Sequence, residues 1–331
     1  MRPRASKAAP RRSWTVIRNL LPSGALAHTD LNPGKPCPAS LIDAANTAIL
    51  LAFAALFAFA LGRTPYKVHL LVAYPALFLF TAAMARVRTS RLEGRTRRAI
   101  AFAYPIAYLF AIFETIFMVL PYVHDRRYDD LLSRIDAAMM GGHPALWLET
   151  MATPWLNDLM YLCYLLYFPL PLLPLLWMYR KGRRAEVERT MFVLLSCYYV
   201  AYLGYFLVPA LGPSVHLRPL QTTELRGILL SEPVRRLILA LEPNRFDAFP
   251  SLHAAILLTA MIATFRAHRR MFLALLPLAA GITLSLVYCR YHYVIDVVAG
   301  FAWAALNYPL AGLLFDRARG RWTPHFGEDG P

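Results

Sequence analysis

The chain has 331 residues, 58% of them hydrophobic, and a formal net charge of +15. A mean hydropathy of +0.42 is too apolar for an ordinary soluble domain and selects a polytopic membrane protein. The basic residues sit in short clusters between apolar runs, a pattern that sets membrane topology and argues against nucleic-acid binding.

Residues 1–39 read as a basic, disordered cytoplasmic arm. Arg2, Arg4, Lys7, Arg11, Arg12 and Arg18 charge it, and Pro3, Pro10, Pro22, Pro33 and Pro36 break any long helix. Within it, Trp14 to Leu21 suits a membrane surface. It lacks an apolar core of about 7–15 residues near its start, so no signal peptide is expected. Cys37, Cys163, Cys197 and Cys289 form no Cys-x-x-Cys pair and read as free thiols, with neither a metal nor a disulfide framework.

Apolar runs predict an all-α bundle of about eight transmembrane helices. Spans 1 and 2 cover about 43–62 and 68–85 and form an N-terminal pair in a 40–98 segment. Six arginines follow between Arg86 and Arg98. Span 3, about 99–121, carries Glu114. An intramembrane carboxylate is a functional candidate, although a structural bond to a neighbouring helix is the preferred reading here. Tyr128 to Met140 alternates like an amphipathic helix stopped by Gly141-Gly142-His143-Pro144. Span 4, about 155–178, holds Pro169, Pro171 and Pro174 and should kink. Span 5 is about 190–208, and a long loop, 209–249, leads to span 6 at about 251–265. Span 7 is about 271–288, span 8 about 293–314, and 316–331 reads as a cytoplasmic tail.

Basic clusters recur at the N-terminal arm and after spans 2, 4, 6 and 8. The positive-inside rule therefore puts both termini in the cytoplasm and the other connections outside. His253 and His292, 39 residues apart, are separated by roughly 58 Å of helix, close to two crossings of a core about 30 Å thick. Both then lie on the outer face, at the N-terminal ends of spans 6 and 8. Helix N-termini suit an anion. Ser251 is placed to cap span 6 or to donate to phosphate. Asp296, four residues after His292, can orient its imidazole and leave the other nitrogen free to attack. His253 would act as general acid for a leaving oxygen, and the fork of Arg290 suits phosphate oxygens. No further His, Cys or carboxylate cluster completes a metal shell, and no cofactor motif is found.

Pro250-Ser251-Leu252-His253, and Ser285-Leu286 followed after five residues by His292 and then Asp296, resemble two signatures of the type 2 phosphatidic acid phosphatase superfamily. Leu286 stands where that pattern has arginine. Leu211, separated by six residues from Arg218-Pro219, stands where it has lysine. Leu252, His292-Tyr293-x-x-Asp296, Asp129 to Pro144 and Pro209 to Pro213 resemble the inositol phosphorylceramide synthase branch. The resemblance covers about 122–315. It implies a six-helix catalytic core within 99–315, a phosphohistidine on His292 oriented by Asp296, His253 as acid and no required metal. Arg290 and Arg218 are the candidates for the missing phosphate clamp. The implied substrate is a membrane lipid, with a lipid alcohol or water as acceptor, so both transferase and lipid phosphate phosphatase stay open. A transporter would spread its polar residues through mid-membrane. Here they collect at one face, consistent with an enzyme in a plasma or inner membrane.

Overall fold

Long apolar segments interrupted by basic turns leave the backbone one economical way to satisfy its N–H and C=O groups in lipid, the helix. The computed structural model describes residues 40–89, 94–123, 125–241, 246–322 and 324–326. The arm at 1–39, its Trp14–Leu21 piece and Cys37 fall outside them. Among the described residues there is no strand, only helices and turns with an isolated bridge between Ala210 and Asp247.

Helices α1 (Leu41–Ala60), α2 (Lys67–Thr89) and α3 (Gly94–Val119) pack against one another. α1 starts with a capping box between Ser40 and Asp43. The amphipathic α4 (Asp129–Met140) ends where predicted, at Gly141 with a φ of 73°, a left-handed cap that suits glycine. α5 (Pro154–Leu166) and α6 (Leu172–Arg180) replace the single kinked span 4. Pro169 and Pro171 lack N–H donors, and the helix breaks outright at Tyr167–Pro171. α7 (Arg184–Leu207) is the most enclosed long helix and packs against α1, α3 and α6.

The loop expected at 209–249 contains a helix, α8 (Ser231–Leu241), whose four capping N–H groups, from Ile228 to Ser231, all bond the Asp158 carboxylate. α9 (Leu252–Ala267), α10 (Arg269–Tyr288) and α11 (Val294–Ala318) complete the bundle. α9 packs on α7, α10 and α11. Its approach to α11 is close at Gly300, where an added Cβ would stand 2.3 Å from the Ser251 carbonyl oxygen.

Among the described residues six helices are long and apolar enough to cross a membrane, matching expected spans 1, 2, 3, 5, 7 and 8, and the chain is a multi-pass membrane protein. Span 4 is the broken pair. Span 6 is α9, whose 16 residues reach only about 24 Å. Glu114 is exposed on α3 instead of being packed against a neighbouring helix, contrary to the role preferred from sequence. The expected tail is also partly built in. His325 is fully buried, with Nδ1 2.8 Å from Ser40 Oγ and Nε2 2.9 Å from the Ala101 carbonyl. Cys163, Cys197 and Cys289 are free and buried.

Candidate active site

α9 and α11 run in the same sense because α10 turns the chain back between them, and His268 caps the turn by accepting from Met271 N. Their N-terminal ends therefore meet. His253 lies in the first turn of α9, and His292 lies in the 289–293 turn just before α11. His292 Nε2 stands 3.3 Å from His253 Nδ1. The other His253 nitrogen, Nε2, is 3.1 Å from the Tyr164 hydroxyl, and the ring sits against Tyr167 and Phe168.

His292 Nδ1 is 2.9 Å from the carbonyl oxygen of Ala248 and 3.7 Å from Asp296 Oδ2. The shorter contact is a hydrogen bond and the longer one is not. A carbonyl only accepts, so it fixes the proton on Nδ1 and leaves Nε2 with its lone pair, an assignment made from hydrogen-bond partners. The backbone at Ala248 therefore does what the sequence reading gave to Asp296. The difference arises because α11 begins at Val294, so His292 and Asp296 do not share a helical face.

Asp296 is fully buried, and its Oδ2 accepts from Tyr293 N at 2.7 Å, while Oδ1 is buried without a partner. Its own carbonyl accepts from Ser251 N at 3.0 Å, tying the starts of α9 and α11. Ser251 is also fully buried and spends its hydroxyl on Ala254 N as the cap of α9.

The sequence singled out the 129–144 and 209–213 segments by resemblance but gave none of their residues a part in holding this loop. Asp136 on α4 accepts from Val294 N and Ile295 N, both at 2.8 Å, and so caps α11 from outside. Asp129 accepts from Leu211 N, Gly212 N and the Tyr293 hydroxyl. Glu149 takes Thr222 N, the Thr222 hydroxyl and Thr223 N on one oxygen and Arg290 on the other, at 3.0 Å. Burial would raise the Glu149 carboxyl, but these bonds and the Arg290 charge outweigh it and hold it below the usual range. Arg290 itself has a φ of 65°, is 5% exposed and also reaches Gln221 and the Thr223 carbonyl.

Two cavities adjoin at Tyr291. One of about 20 Å³ lies at the histidines and is lined also by Tyr164, Leu211 and Asp247. Leu211, the position where the signature pattern has lysine, thus faces the pair with an apolar side chain. The other, of about 700 Å³, is lined by Arg218 and Arg290 among others. Both sequence-stated clamp candidates therefore line the larger cavity and not the small one. Burial pushes the His292 imidazole down to about 4, although the Asp247 charge and the Ala248 bond oppose it. Among the described residues, no group of three or more His, Cys, Asp or Glu is arranged to hold a metal.

A buried histidine pair thus stands where α9 and α11 begin, His253 beside the Tyr164 hydroxyl and His292 beside the Ala248 carbonyl. Residues 130–310 match the PAP2 superfamily, and the chain belongs to that superfamily. A phosphoinositol dihydroceramide synthase of Bacteroides thetaiotaomicron is 28% identical over 162 residues, covering 44% of this chain and 52% of the relative. The chain thus spans about half the length of that curated relative. Family and relative agree with the superfamily and the branch that the signatures resemble. No solved structure matches.

Proposed function

We propose that the protein is a membrane phosphotransferase that moves a phospho-headgroup from one lipid to the hydroxyl of another through a phosphohistidine on His292. The observation that carries this reading is the facing pair, an unprotonated His292 Nε2 3.3 Å from His253 Nδ1. Nε2 attacks phosphorus and the donor's lipid oxygen leaves. The charge of the bound phosphate favours a protonated His253, whose Nδ1–H goes to that oxygen while its Nε2–H is received by the Tyr164 hydroxyl. Neutral His253 then takes the proton of the acceptor hydroxyl as it attacks the phosphohistidine. Asp296, 3.7 Å from Nδ1, offsets the positive charge that His292 carries in the intermediate.

The transfer reading draws support from the relative, named a phosphoinositol dihydroceramide synthase, and from burial. His253 and His292 are 8% and 4% exposed. Water reaches such a site poorly, and a lipid alcohol is delivered by the membrane itself. The basic turn between α9 and α10 lies at the opposite end from the histidines, which supports an extracytoplasmic site under the positive-inside rule. The test compares wild type with His292→Ala in vesicles that contain labelled phospholipid, with and without ceramide or diacylglycerol. A new phospholipid made only by wild type supports transfer. Inorganic phosphate as the main product would replace transfer with hydrolysis, and undiminished turnover in the variant would sink the nucleophile assignment.

A further inference from the structure

The larger cavity has a chemistry the smaller one lacks. Its wall carries Arg218, Arg226, Arg235, Arg236 and Arg290, against Glu224 and Glu232. Glu224 pairs with Arg226 at 2.7 Å and reaches Arg218 only at 3.8 Å, and Glu232 is shared by Arg235 and Arg236. Counting also the engaged carboxylates of Glu149 and Asp158 behind the wall, the cavity remains cationic. Arg290 stands in the same wall, 5% exposed, with its guanidinium held by Glu149, Gln221 and the Thr223 carbonyl. A phosphodiester carries one negative charge, and it is the small pocket, not this cavity, that adjoins His292 Nε2. A wall of several guanidiniums suits instead a group with charge near −2 and three acceptor oxygens, which is a phosphomonoester.

The rim argues for a lipid as the carrier. Ile228 and Leu229 are 75% and 74% exposed beside the cavity, on the turn that leads into the amphipathic α8. Such side chains belong in acyl chains at the membrane boundary. Tyr291 lines both cavities, and its ring lies 4.7 Å from that of Tyr164, so the two cavities meet at this ring pair.

We infer that the arginine cavity binds a phosphomonoester carried on the headgroup of a lipid whose linking phosphodiester reaches His292. This rests on the transfer reading above for the second half of the statement, while the phosphomonoester site stands on the cavity alone. The site selects donors by a phosphate that takes no part in the reaction.

The test is binding to the full chain in nanodiscs of neutral lipid. The probes are dioctanoyl phosphatidylinositol, its 4-phosphate, and inositol 1,4-bisphosphate without a tail. The 4-phosphate should bind at least tenfold more tightly than the unphosphorylated lipid, with a steep salt dependence. In Arg218→Gln/Arg235→Gln that preference should collapse. Should the double variant fail to fold, Arg226→Gln, whose side chain is 84% exposed, should alone reduce the preference severalfold. Equal binding of the two lipids to wild type, or a preference that survives these substitutions, overturns the proposal. A tail-less bisphosphate that binds as tightly as the lipid overturns the lipid carrier. His292→Ala should keep the preference. A preference in a protein that transfers nothing from any donor would count against the transfer reading alone.

Discussion

His292 Nε2 and His253 Nδ1 close on each other at 3.3 Å, across a cavity of only about 20 Å³. A tetrahedral phosphate does not fit between them as they stand, so substrate must part the two rings. His253 is backed by Tyr164 and His292 by the Ala248 carbonyl. His292 can swing on its bond to the Ala248 carbonyl without losing its tautomer.

His292→Ala should reduce transfer to the uncatalysed level. His253→Ala should cost roughly 10²- to 10⁴-fold in kcat, the usual worth of a positioned acid. Because both act on one phosphoryl group, the double variant should be no worse than His292→Ala. Single-turnover assays in vesicles measure all three.

The attacking form of His292 is the neutral one, and burial has pushed its imidazole down to about 4. Protonation removes the lone pair, so the acid limb that His292 sets should appear only as pH drops through about 4. In Asp247→Asn the raising charge is gone, and the acid limb of the kcat/KM profile should move to lower pH. An acid limb near 6.5 in wild type would contradict the buried, neutral dyad.

Asp136 bonds two N–H groups at the start of α11, two residues beyond His292. Asp136→Ala leaves both without their acceptor, at a cost of about 0.5–2 kcal/mol by analogy with lost helix caps. Thermal unfolding should register that cost. The loss of kcat should be larger than stability alone predicts, and Asp136→Asn, which keeps one acceptor oxygen, should recover part of it.

The Glu149 and Arg290 side chains are both 6% exposed and 3.0 Å apart. Glu149→Ala strands a guanidinium in the interior and should destabilise the fold by about 3–5 kcal/mol. Glu149→Leu combined with Arg290→Met should regain most of that in thermal unfolding while leaving donor binding impaired.

Gly300→Ala places a methyl 2.3 Å from the Ser251 carbonyl oxygen, where backbone and not a flexible side chain must yield. Overpacking of this kind costs about 1–3 kcal/mol. It acts where the two histidine-bearing helices touch, so the variant should lose activity while remaining folded by circular dichroism.

What the sequence disclosed is what local pattern encodes. Apolar runs broken by arginines located the spans, and Gly141 located the end of α4. His253 and His292 stood out because their separation matched two crossings. The prolines of span 4 forecast a kink, yet the outcome was a break, since Pro169 and Pro171 both withhold donors within one turn. α8 was hidden because Arg235 and Arg236 lie among its apolar residues and Glu-Pro opens it. The holders of the site were invisible for another reason. Asp129 meets Tyr293 across 164 residues, Glu149 meets Arg290 across 141, and the acceptor for His292 is a main-chain carbonyl that any residue at 248 would supply.

The capping of α11 by Asp136 bears on how the protein is made. The carboxylate leaves the ribosome 158 residues ahead of the amide it will bond. At about 5–20 residues per second that is a wait of roughly 8–30 s, during which α5 to α10 have already been delivered to the membrane. α11 thus follows α4 to α10 and meets an acceptor that is already waiting. Nascent chains stalled before Val294 should accumulate as inserted but inert bundles until α11 can dock.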